Sequence, residues 1–150
     1  MNKEHSYEVA VSWKSDRKGI LESPVLNTTI EVATPPQFPK GMEGIWSPEH
    51  LLVAAVNSCL MTTFLAIAEN SKLEFSAFES RATGKLEIVE GKFMMTEIQI
   101  LPIVTIADEE HKEKAERLLQ KAEANCLIAN SIKSKIIFEP VIHVKTEMSL

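Results

Sequence analysis

The chain has 150 residues and a formal net charge of −5 at pH 7. That length accommodates one domain with a real core. The acidic balance argues against a nucleic-acid partner, because phosphate binding needs a basic face. His5, His50, His111 and His143 are scattered without metal-ligand spacing, so no metal site is expected. The N-terminal MNKEHSYEVAVSW alternates and has no apolar run of the secretory kind. The expectation is one domain over residues 1–150, located in the cytoplasm.

Tyr7, Val9, Val11 and Trp13 alternate with polar or small residues, which predicts a strand with one face buried. The polar turn Ser15-Asp16-Arg17-Lys18-Gly19 leads to a second short strand near Gly19 to Glu22. After Ser23-Pro24 a third strand is expected from Leu26 to Ala33, making a meander. Thr34 to Trp46 holds three prolines and two glycines. It reads as a long loop of the kind that covers sites.

The rest of the chain is organised around Ser47 to Asn70, its longest apolar run. Ser47 suits an N-cap, Pro48 the first helical position, and Glu49 the positive end of the helix dipole. From Leu51 to Ala68 nearly every face is apolar or small, which predicts a buried central helix. The run is nearly long enough to span a bilayer. However, Asn57, Ser58, Thr62 and Thr63 interrupt it and no other segment resembles a span, so no membrane partner is expected.

Ser76 to Glu90 and Lys92 to Val104 read as a long hairpin turning at Glu90-Gly91. Asp108 can cap a second helix. Its Ala115, Leu118, Leu119 and Ala122 form one apolar stripe. Asn125 to Lys133 looks like a short helix or turn carrying Cys126, and Ile136 to Thr146 like a final strand in which Pro140 marks an edge or bulge. Mixed strands and helices without strict alternation indicate an α+β fold.

Two cysteines in a cytosolic chain are either inert core thiols or a redox pair. A thiol reacts as the thiolate. Cys59 lies about three turns into its helix, too far for the dipole to help, and burial raises a thiol pKa. A reactive Cys59 therefore needs a nearby cation, for which arginine is suited. In the plainer reading Arg17 is a solvated turn residue, Glu49 serves the helix dipole, and Trp13 and Trp46 are packing aromatics. No glycine-rich phosphate loop and no GxSxG elbow is present.

SPEHLLVAAVNSCLMTTF resembles the central-helix signature of the OsmC/Ohr family: a Pro-Glu pair, a Leu- and Ala-rich stretch, and a cysteine ten residues after the Glu. ANCLIANSIK matches the family's late cysteine, and DRKG matches a basic residue in the turn after the first strand. Leu127 follows Cys126 where many members have proline, and Asn57-Ser58 precede Cys59 in place of the more common small or aromatic pair. The resemblance implies an α+β OsmC-like fold, with antiparallel sheets wrapped around a long buried central helix, in an intertwined homodimer. It implies a thiol-dependent peroxidase acting on hydroperoxides, with organic ones favoured in some branches. Cys59 would be the peroxidatic thiolate and Cys126 the resolving thiol. Arg17 would stabilise the thiolate and Glu49 would orient Arg17. The resemblance implies no bound cofactor, and recycling by an external dithiol, a lipoylated protein in some members. Ten helical residues span about 15 Å, so either the helix bends or Glu49 and Cys59 meet across two chains. The rival readings are a non-catalytic small-ligand-binding protein on the same fold and a structural dimer with inert thiols. Met94, Met95 and Met148 suit the ligand-binding and peroxidase readings alike.

Overall fold

The computed structural model describes residues 4–145; Thr146 and Met148 lie outside them. The chain forms two compact units, Met1–Leu51 and Leu52–Leu150.

In the first unit, β1 (Ala10–Ser15), β2 (Lys18–Glu22) and β3 (Ile30–Ala33) form an antiparallel meander. Asp16 adopts φ 50 in the turn between β1 and β2. Gly19 sits opposite Trp13, and a Cβ there would lie 2.9 Å from the Ser12 carbonyl oxygen, so no side chain fits. The expected buried face of the first strand is corrected: every residue of β1 is exposed. Trp13 is 76% exposed and Tyr7, Val9 and Val11 are exposed with it. The alternation is present, but β1 is an edge strand and no described residue covers its apolar face. The proline-rich loop is folded back on itself: Met42 N–H donates to the Thr34 carbonyl at 2.9 Å, and Ala33 N–H to the Trp46 carbonyl at 2.8 Å.

Helix α1 (Pro48–Asn70) starts as its sequence predicts. Ser47 is fully buried, its Oγ accepts from His50 N–H at 3.1 Å and lies 2.7 Å from His50 Nδ1, and the Trp46 ring meets the His50 ring edge-on. Ser47 thus acts as the N-cap of α1, its hydroxyl receiving the His50 amide.

In the second unit, β4 (Ala77–Val89) and β5 (Lys92–Ile106) make the expected hairpin. Glu90 and Gly91, at φ 50 and 78, supply the two positive φ values that a two-residue turn of type I′ requires. A short 3-10 turn at Glu109–His111, capped by the Asp108 carboxylate, leads into α2 (Lys112–Ala124), then α3 (Leu127–Asn130), β6 (Lys135–Phe138) and β7 (Val141–Val144). The single final strand is thus two, broken at Glu139-Pro140. Glu139 still donates its N–H to the Ile100 carbonyl at 3.0 Å; proline has no N–H with which to continue the ladder. The sheet is also not purely antiparallel: β6 and β7 both run parallel to β5. The chain returns from β5 through two helices, and a crossover of that length delivers a parallel strand.

α1 packs on this sheet. Val56, Leu60, Phe64 and Ala68, four residues apart, are fully buried in one cluster with Ile98, Ile100, Val104 and Ile106 of β5 and the Ala115, Leu118, Leu119, Ala122 stripe of α2. Phe64 stacks on Phe78 and meets Phe75 edge-on. Gly84 lets β4 approach the helix, because a Cβ there would lie 2.6 Å from Val53 Cγ2 and would collide with the end of Met95. The expectation of a helix buried all round is corrected: Ser58, Met61, Thr62 and Leu65 are exposed on the opposite side. One sheet can cover one stripe of a helix, and four-residue spacing makes that stripe narrow. Among the described helices α1 alone is long and apolar enough to cross a membrane.

Candidate active site

Core packing sets the position of Cys59. Val56 and Leu60 point into the core, so Cys59 sits at the margin of the buried stripe and is partly exposed. Cys126 arrives from 67 positions further along the chain. It is the residue before the first turn of α3, in extended backbone at φ −71 and ψ 102, and it is 1% exposed. Its thiol donates to the Val56 carbonyl at 3.8 Å, one turn before Cys59. The structure therefore brings the two sequence-designated thiols close together. Both are free, not bridged.

Their surroundings treat them oppositely. Burial pushes the Cys59 pKa up. Hydrogen bonds from the Ile128 N–H, the Cys126 thiol, the Thr63 hydroxyl (3.9 Å) and the Leu127 N–H outweigh it, leaving Cys59 below its ordinary 9.0. Cys126 is pushed up to about 11, first by its own burial and then by the neighbouring Cys59, against the N–H groups of Ala129 and Ile128. The pair is therefore asymmetric: a partly exposed thiol with a lowered pKa beside a buried one with a raised pKa.

The cation that the sequence demanded is not among the groups acting on Cys59. Those groups are hydrogen-bond donors of residues 63 and 126–128. Arg17 occupies the β1–β2 turn, where Trp13 Nε1 donates to the Asp16 carbonyl at 3.0 Å. With Trp13, Val32, Thr34 and Pro48 it lines a surface hollow of about 540 Å³ in the first unit. Glu49 lies in the first turn of α1, ten residues before Cys59 on the same helix. Arg17 and Glu49 make no ion pair among the described residues. No group of three potential metal ligands occurs among the described residues.

Sequence reasoning missed Thr63, Leu127 and Ile128. Thr63 was visible as a polar residue one turn after Cys59 in an apolar helix. The two amides carry no signal, since every residue but proline has one.

Residues 41–140 match the model of the OsmC-like protein family. The chain belongs to the OsmC-like family. It is 27% identical over 141 residues to the uncharacterized protein YmaD of Bacillus subtilis, covering 89% of this chain and 90% of that one. Its fold is similar to that of an OsmC-like protein of unknown function from Vibrio cholerae, with a TM-score of 0.81 at 24% identity over 92% of this chain and 100% of the other. It is also similar to that of an organic hydroperoxide resistance protein from Elizabethkingia anophelis, with a TM-score of 0.75 at 18% identity over 97% and 100%. The α+β OsmC-like fold, with a sheet packed on a long helix, is thus shared with these two solved structures.

Proposed function

We propose that this OsmC-like protein is a thiol-dependent peroxidase that reduces organic hydroperoxides. The observation that carries this reading is the pair itself: a partly exposed, acidified Cys59 in contact with a buried Cys126. The printed name of the Elizabethkingia protein supports the substrate class.

In the proposed cycle the Cys59 thiolate attacks the terminal oxygen of ROOH. An S–O bond forms, the O–O bond breaks, and the alkoxide takes up a proton and leaves as alcohol. Cys59 is oxidised by two electrons to the sulfenic acid. Part of what holds the proton on Cys126 is the neighbouring Cys59 thiolate, and that charge disappears on oxidation. Cys126 then loses its proton more readily and attacks the Cys59 sulfur. The S–S bond forms and hydroxide leaves, taking the proton to become water. An external dithiol, such as a lipoylated protein, restores both thiols by exchange and is itself oxidised. A reducing cytoplasm suits that recycling.

The proposal extends to a homodimer. The exposed apolar stripe of β1 and the outer face of α1 with Met61 and Leu65 are the surfaces a second copy would cover. Across such a dimer, Glu49 of the second copy would lie near Cys59 and orient Arg17, whose guanidinium would hold the charge that develops on the leaving oxygen. A monomer with full activity contradicts the shared site.

The test is consumption of cumene hydroperoxide with excess dihydrolipoamide. The wild type turns over and Cys59→Ser does not. A wild type that consumes no peroxide refutes the enzymatic reading.

A further inference from the structure

The second unit has a surface hollow of its own, of about 540 Å³, a size within the range of small-molecule sites. It is lined by the end of the β4–β5 hairpin, by the segment 132–134 that follows α3, and by Leu52 of α1. These parts are held in place. Ser134 Oγ donates to the Met95 carbonyl at 2.6 Å, tying the segment to β5. Ile132 packs against the core cluster, and positive φ values at Glu90 and Gly91 fix the hairpin turn. The lining is therefore preformed.

Its composition has two parts. Most of the lining is apolar, and Val89 and Phe93 stay 41% and 62% exposed. Exposed apolar side chains gathered at one hollow mark a place that something else covers. Met94 and Met95 contribute unbranched, polarizable side chains that adapt to an occupant. The charged part is Lys92 and Lys133, on opposite sides of the sequence gap between hairpin and segment, with Glu90 as the one acid of the lining. Neither lysine is in an ion pair among the described residues. Two lysines against one glutamate leave the lining with one excess positive charge.

We propose that this hollow binds a single-chain amphiphile with one negative charge, a medium-chain fatty carboxylate. Its tail lies against Leu52, Met94 and Met95, and its carboxylate meets Lys92 and Lys133. A monoanionic head matches the excess charge of the lining, whereas a dianionic phosphate head would exceed it and face Glu90. The site involves neither thiol, so it stands or falls apart from the peroxidase reading.

The test is a titration with decanoate, using calorimetry for affinity and NMR of methyl-labelled methionines for location. The wild type should bind decanoate with a negative heat-capacity change, the mark of apolar burial. The Met94 and Met95 methyl signals should move, and that of Met61, on the exposed side of α1, should not. Lys92 and Lys133 are exposed, so reversing their charge leaves the fold alone. The double variant Lys92→Glu, Lys133→Glu should bind decanoate about tenfold more weakly, since each exposed ion pair is worth a few-fold. Its affinity for decanol, the same tail without the charge, should match the wild type's. A wild type that takes up no decanoate overturns the proposal, as does a double variant that binds it unchanged or a wild type that binds decylammonium as tightly. Methionine signals that move on dilution of the protein and not on addition of decanoate would mark the hollow as a contact between copies, and would overturn it too.

Discussion

Raising the pH should unfold this protein by a route that runs through Cys126. Its thiol is 1% exposed and is pushed from 9.0 up to about 11. A group whose folded pKa lies above its unfolded one contributes stability below the unfolded value and loses it as pH climbs through the folded value. The window is therefore pH 9 to 11. Two units at 1.36 kcal/mol each amount to about 3 kcal/mol, a sizeable part of a small domain's total of roughly 5–15 kcal/mol. Cys59 has the opposite sign: its lowered pKa adds stability above the unfolded value, and that contribution is lost as pH falls through the folded pKa. The two thiols together favour a stability maximum near pH 9. The assay is urea unfolding at pH 8, 9, 10 and 11, comparing wild type with Cys126→Ala so that tyrosine and lysine titration cancels. The wild type should lose about 3 kcal/mol more than the variant across that window. Parallel curves would refute the claim that Cys126 is held protonated by burial and its neighbour.

Other substitutions probe the frame that holds the pair. Phe64→Ala removes a fully buried ring that contacts Phe75 and Phe78 and should cost about 3–5 kcal/mol in urea unfolding. Gly84→Val would force a branched side chain against Val53 and Met95 and should destabilise by about 1–3 kcal/mol; an unchanged urea midpoint contradicts the close approach of β4 to α1. Ser80→Ala should be neutral or slightly stabilising, since the Ser80 hydroxyl is buried with no partner. A loss above about 1 kcal/mol would show that the hydroxyl has a partner worth that much. Ser47→Ala should cost about 1–2 kcal/mol, because it strips the hydroxyl that receives His50 N–H.

Local chemistry was legible and long-range chemistry was not. Glu90-Gly91 announced its turn because the turn needs positive φ, and the Ala115, Leu118, Leu119, Ala122 stripe announced α2 because burial follows the helical period; both stand in the structure. Pro140 marked a disturbance, but that β6 and β7 both lie parallel to β5 depends on pairing across two intervening helices. The alternation in Val9, Val11 and Trp13 identified an apolar face without saying what covers it, and those residues are exposed. The apolar surface of α1 misled in the same way, since composition does not reveal how many sides are packed. At the site, the types and spacing of Cys59 and Cys126 were readable, whereas the groups that lower the Cys59 pKa, led by the Ile128 amide and Cys126 and followed by the Thr63 hydroxyl and the Leu127 amide, depend on packing across the chain.

The most direct test of the central claim uses one equivalent of cumene hydroperoxide, no reductant, and mass spectrometry of the two cysteine peptides. The account predicts a Cys59–Cys126 disulfide in the wild type. In Cys126→Ser it predicts a sulfenic acid on Cys59 that dimedone traps. Two unmodified thiols with the peroxide intact would contradict it.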